Sequence, residues 1–162
     1  MEMLAAGLAP GALIGLDLGT KTIGVAVSDP RRTLASPLET LPRRKFGADA
    51  GRLREIAEGR GATGFVMGLP RDMSGAEGPR AQASRAFARN LARTLGLPVA
   101  LWDERLSTVA VERALIEADA SRRRRAEVVD RMAAAFILQG ALDRMTYAAR
   151  EAGERDGREG QA

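Results

Sequence analysis

Two apolar runs rich in β-branched residues, Ala12–Leu18 (ALIGLDL) and Thr22–Ser28 (TIGVAVS), stand only three residues apart, joined by Gly19-Thr20-Lys21. Runs of this length and composition form strands, and so short a connection allows only an antiparallel hairpin. Thr33 to Leu41 supplies a third strand, which Pro37 confines to a sheet edge or an irregularity. Leu53, Ile56 and Ala57 then recur at helical spacing within Ala48–Glu58, and Gly59 and Gly61 end that helix. Gly64–Met67 reads as a short buried strand stopped by Gly68-Leu69-Pro70. A polar, Gly-containing loop leads to a helix over Arg80–Leu95 with Ala83, Phe87, Leu91 and Leu95 on one stripe, and Pro98–Trp102 is a further strand. Helices over Thr108–Ala118 and from Glu127 to about Met145 complete the pattern. The order β-β-β-α-β-α-β-α-α predicts one α/β domain, a mixed five-stranded sheet with helices on both faces. The domain spans 11–146. The aperiodic residues 1–10 and the polar run 147–162 read as tails.

What the chain lacks narrows its chemistry. It has no histidine and no cysteine among 162 residues, so a Ser-His-Asp triad, a thiol nucleophile, a disulfide and a His- or Cys-ligated zinc are all excluded. Hydrolysis would have to rest on carboxylates, hydroxyls, Lys, Arg or a cation held by oxygen, and oxygen ligands favour hard cations such as magnesium or manganese. Charges interrupt every apolar run well before the roughly 20 residues of a membrane span, and no signal-peptide pattern opens the chain, so a cytoplasmic protein with no membrane partner is expected. The net charge of +4 is carried by arginine, apart from Lys21 and Lys45. It suits a polyanion partner, although Arg-rich, Ala-rich composition alone produces the same number.

Three acids stand out by position. Asp17 interrupts the first strand close to its end. Such an acid is costly unless its charge is paired or holds a metal, and capping the Gly19-Thr20 turn is the competing role. Glu104 follows Asp103 at the end of the Pro98–Trp102 strand. Alternation puts the two on opposite faces, so only one can point toward a site shared with Asp17. Asp103 has an ordinary use as a cap, and Glu104 as a surface partner of Arg105. Asp130 precedes the seven apolar residues Met132 to Leu138 and shares a face with Ala133, Ala134 and Ile137, so it looks inward from the first turn of its helix, where a dipole role competes. Three inward acids make an oxygen cage, and two cations about 4 Å apart in such a cage can activate water and stabilise a departing oxygen in phosphodiester hydrolysis.

At these residues the sequence resembles the YqgF family, also called RuvX, whose members are described as pre-16S ribosomal RNA nucleases and Holliday-junction-resolvase-like proteins. The likeness lies in Gly15 to Ala26 (GLDLGTKTIGVA), in Gly68-Leu69-Pro70 continuing through Met73, Gly75 and Gly78, in Asp103 to Thr108 (DERLST), and in Val128-Val129-Asp130 before the apolar helix. The resemblance implies a ribonuclease H-like fold, with Asp17, Glu104 and Asp130 as catalytic, metal-binding acids served by magnesium or manganese. It also implies that the loop from Gly68 to Gly78 lines the substrate groove, and Thr20, Lys21, Gly68, Leu69, Pro70 and Arg105 are the expected substrate contacts. The implied activity is metal-dependent endonucleolysis in processing the 5′ end of pre-16S rRNA. The implied partner is structured RNA, with branched DNA second, and the protein would act as a monomer or homodimer. Three other readings stand beside it: a Holliday-junction resolvase-like nuclease, a non-catalytic nucleic-acid-binding or ribosome-assembly factor, and an ATP-binding domain of the actin-like kinase superfamily, whose phosphate hairpin the DLGT segment also resembles. The run Arg122 to Arg125 reads as a polar loop, either a phosphate-contacting flap or simply solvated.

Overall fold

β2 (Ala12–Leu18) lies in the interior of the sheet because nearly every residue in it is apolar and buried, as a strand covered on both faces requires. It pairs antiparallel with β3 (Thr22–Ser28), in the expected hairpin, and parallel with β5 (Ala62–Leu69). β4 (Ala35–Pro42) adds to the outer side of β3 with a register shift at Val25/Ala26, opposite Pro37, and forms one edge. β6 (Val99–Asp103) pairs parallel with β5, and β1 (Glu2–Met3) pairs antiparallel with β6, giving the order β1-β6-β5-β2-β3-β4. The helices are α1 (Phe46–Arg60), α2 (Pro79–Leu95) and α3 (Arg122–Glu159), and a 3-10 turn, Glu104–Leu106, follows β6. The computed structural model describes residues 2–3, 8–107 and 122–159, with side chains from 8 to 107 and from 129 to 156. The helix expected over Thr108–Ala118 lies outside the described residues. No helix among them is long and apolar enough to cross a membrane.

The sheet divides the core in two. On one side Ile14, Leu16, Ile23, Val25, Phe65 and Met67 pack with Leu53, Ile56, Phe87 and Leu91 of α1 and α2. On the other Leu13, Ala26, Val66, Ala100 and Trp102 pack with Ala133, Ala134, Ile137 and Leu138 of α3. Alternation along β2 therefore settles which way Asp17 faces: it belongs to the Leu13–Gly15 row, under α3. Gly15 explains how closely that helix approaches, because a Cβ there would lie 2.7 Å from the Leu138 Cβ and 2.8 Å from the Ala134 carbonyl oxygen.

Several expectations need correction. The N-terminal segment is not a free tail: Glu2 and Met3 cover the edge of β6, Leu8 packs on the α3-side core, and Arg32 donates to the carbonyls of Ala9 and Gly11. An otherwise open strand edge gains a partner this way, and two residues are too few to show a period. The buried stripe of α2 runs through Ala81, Ser84, Phe87, Ala88 and Leu91, so Ala83 is on the outer face. α3 is longer at both ends than expected. Arg122–Arg125 is helical rather than a loop, and the run after Tyr147 continues the helix to Glu159. Arg, Ala and Glu are good helix formers, and a helix already nucleated against the core propagates through them without an apolar stripe.

Candidate active site

The open ends of β2 and β3 and the flank of α3 enclose a cleft of about 400 Å³. Asp17, Thr20, Lys21, Thr22 and Gly24 contribute from the hairpin, Thr40 from β4, Arg80 from the first turn of α2 and Asp130 from α3. Asp17 is half-buried near the end of its strand, whereas Asp130, Thr20 and Lys21 are exposed. Gly24, opposite Asp17 in the hairpin register, leaves the space between strand and helix open: a Cβ there would lie 3.4 Å from the Asp17 Cβ and 3.8 Å from the Asp130 carbonyl oxygen. Asp130 is the ninth residue of α3, not in its first turn, so the N-terminal dipole plays no part in its position. The Gly19–Thr22 turn that presents Thr20 and Lys21 is closed by the Gly19 N–H donating to Thr22 O at 2.9 Å. Arg43 braces it from outside, with one guanidinium N–H on Gly19 O at 2.9 Å, its backbone N–H on Lys21 O at 2.8 Å, and its charge 5.8 Å from the Phe87 ring centroid.

Glu104 stands beside this cleft on the same face of the sheet. β6 ends at Asp103, whose carboxylate caps the following turn by accepting the Arg105 N–H at 3.0 Å. The turn lays the Glu104 side chain over Gly68, where an added Cβ would lie 2.6 Å from Glu104 Oε1 and 2.7 Å from Ile137 Cδ1. Gly68 thus acts by omission: the carboxylate occupies the space a side chain would fill. Asp103 and Glu104 do diverge, as alternation predicts. Asp17 and Asp130 share one cleft. Glu104 is not in its lining but lies over Gly68, the residue after Met67, which pairs with Leu16 next to Asp17. Among the described residues no three acids gather closely enough to hold one ion. Like charges drawn to a point repel, which opposes tighter clustering of the carboxylates alone.

Other expected contacts are placed elsewhere. Arg105 is bound to Asp103, Nε to Oδ1 at 3.1 Å and a terminal nitrogen to Oδ2 at 2.6 Å, and does not line the cleft. Its hydrogen bonds hold the Asp103 carboxyl below the usual carboxylate range. Leu69 is buried in the core under α1 and α2, so it has no surface to offer a substrate, and Gly68 is covered by Glu104. Pro70 is half-buried and opens a loop outside the cleft lining. That loop is internally knitted. Asp72 Oδ1 accepts from the Ser74 and Ala76 N–H groups, both at 2.9 Å, and Glu77 accepts from Arg71 at 3.0 Å and Arg85 at 2.6 Å. Hydrogen bonds from Arg85 first, then Arg71, hold the Glu77 carboxyl down at about 2 despite partial desolvation. Sequence reasoning missed Arg80 and Thr40. For Arg80 a signal existed, since a cation in a helix's first turn opposes the dipole and asks for a reason. Thr40 carried none.

Comparison with known proteins bears on the family and the fold. The sequence profile of the RuvX family, described as Holliday junction resolvase, matches residues 11–144. A protein of Cereibacter sphaeroides named "Putative pre-16S rRNA nuclease" is 65% identical over 150 residues, covering 93% of this chain and 94% of its own. One of the same name from Nitrobacter hamburgensis is 69% identical over 135 residues, 83% of each chain. Among solved structures, Thermus thermophilus RuvC in complex with a Holliday junction substrate superposes with a TM-score of 0.51 at 15% identity, covering 83% of this chain and 96% of that one. This likeness bears on the fold alone, and the fold is the ribonuclease H-like one expected. On the match of its sequence from Gly11 through Arg144, the chain belongs to the RuvX family.

Proposed function

We propose that the chain is a divalent-metal-dependent endonuclease that cleaves phosphodiester bonds of structured RNA, with the precursor of 16S ribosomal RNA as its substrate. The name shared by its relatives supports the substrate. The observation that carries the chemistry is the placing of Asp17 and Asp130 in one cleft, with Glu104 beside it on the same face. The donor set fits a hard cation, since every ligating atom is a carboxylate oxygen, and the bare Cα of Gly68 cradles one of the three carboxylates. Asp17, Glu104 and Asp130 would hold magnesium or manganese, which supplies charge stabilisation at the phosphate and a more acidic water. The chain's own contribution is orientation. Thr20 and Lys21, on a turn braced by Arg43, present a hydroxyl and an ammonium to the phosphate, and the packed wall of α3 fixes one side of the groove. In bacteria, the source of its relatives, ribosomal RNA is transcribed in the cytoplasm, which is the compartment this activity requires.

The test offers purified protein three substrates in parallel, precursor ribosomal RNA, a four-way DNA junction and ATP, each with magnesium or manganese. The RNA should be cut, and Asp17→Asn should lower the rate by roughly a hundredfold or more while leaving folding and RNA binding intact. Undiminished turnover in that variant refutes the assignment, and cleavage of the junction alone moves the substrate to branched DNA.

A further inference from the structure

The cations around the top of the sheet fall into two groups. Arg71 and Arg85 are matched to Glu77, Arg105 to Asp103, and Arg43 to the Gly19 carbonyl and the Phe87 ring. The side chains of Lys21 and Arg80, by contrast, make no hydrogen bond or ion pair among the described residues, and both line the cleft that holds Asp17 and Asp130. Arg80 is the less expected of the two. It stands in the first turn of α2, which has no acidic residue, where the helix dipole disfavours a cation, and among the described residues no carboxylate within ion-pair range offsets the cost. An exposed guanidinium kept at the mouth of an acidic cleft has a use when an anion bridges the two.

We infer that Arg80 is a phosphate-binding residue of this site, acting with Lys21 to hold the backbone of a nucleic-acid strand laid across the cleft from the β2–β3 turn toward the start of α2. The role expected of Arg105 is thereby taken by a residue one helix earlier, whose charge is unspent. This inference rests on the nuclease reading for its ligand, a phosphodiester chain, but not on turnover.

Binding is therefore measured apart from cleavage. A fluorescent RNA hairpin with a single-stranded tail is titrated with wild type, Arg80→Gln, Arg80→Lys and Arg93→Gln across a salt series in calcium. Arg93→Gln removes the same charge from the last turn of α2, about 20 Å away along the helix. Each phosphate contact contributes slightly less than one unit to the slope of log affinity against log salt. Arg80→Gln should weaken binding roughly three- to tenfold and lower that slope by close to one unit. Arg80→Lys should restore most of the slope, and Arg93→Gln should match wild type. A slope unchanged by Arg80→Gln, or lowered equally by Arg93→Gln, overturns the inference, as does wild type that binds the hairpin without salt dependence. Cleavage assays on the same proteins in magnesium report on the nuclease reading separately. A lowered slope with no cleavage by wild type keeps the phosphate contact and removes the nuclease, and cleavage with an unchanged slope does the reverse.

Discussion

At the scale of single residues, the site depends as much on a missing side chain as on the charged ones. Gly68 lies under Glu104 and Ile137 with no room for a methyl group. Gly68→Ala must push aside both the Glu104 carboxylate and the tip of the Ile137 side chain. These are the movable ends of their side chains, so the change should cost only about 1 kcal/mol and reduce cleavage more than stability alone explains. Gly51 is the matching control: it lies in α1 with nothing within 4 Å of an added Cβ, and Gly51→Ala should raise stability by about 0.5–1 kcal/mol. Urea denaturation of both variants beside their cleavage rates checks the pair. The Gly68-Leu69-Pro70 motif reads in sequence as a groove-lining loop, but only the packing of Ile137 and Glu104 onto β5 reveals that its glycine is a floor and its leucine a core residue.

At the scale of elements, the loop between β5 and α2 is held by charge rather than by apolar burial. Glu77 ties Arg71 to Arg85, and Arg71 also reaches Asp103 at 3.6 Å, which links the loop to the end of β6 just before Glu104. The Glu77 carboxyl ionises at about 2 in the folded protein against an ordinary 4.5, so its contribution to stability is present above about pH 4.5 and is lost as the pH falls toward 2. The stability gap between wild type and Glu77→Gln should accordingly be constant near neutrality and close through that window. Thermal melts at pH 7, 4.5 and 3 measure it, and a gap independent of pH would show that the carboxylate's charge is irrelevant. These side chains hold the loop closed, so a polar, Gly-containing segment without periodicity is nevertheless specifically structured. Its sequence announces only a polar, Gly-containing loop, whereas its ion pairs join residues up to 32 positions apart and are invisible to local pattern.

At the scale of the whole molecule, α3 does two different jobs along its length. From Ala133 to Leu142 it forms the wall of one core, and from Thr146 to Asp156 every residue is exposed. The second part is about 16 Å of helix without tertiary support and should be marginal by itself. Removing residues 148–162 should leave the melting temperature within a few degrees of the full chain. In hydrogen exchange, amides from 148 to 156 should exchange orders of magnitude faster than those from 134 to 142. A large loss of stability on truncation would mean that the extension packs on a further surface.

What the sequence settles without help is what depends on neighbours along the chain: the hairpin around Gly19-Thr20-Lys21, the helix stops at Gly61 and Gly96, the central burial of Ala12–Leu18, and the exclusion of histidine and thiol chemistry. Alternation alone even separates Asp103 from Glu104. Tertiary structure decided which of the many arginines retain an unmatched charge at the cleft, which glycines are spacers, and that Asp17 meets Asp130 across more than a hundred residues. Spacing in sequence encodes which face of an element a side chain takes. Which faces meet is determined by how the sheet and α3 pack, and so is the matching of charge to charge on which the site's remaining free cations depend.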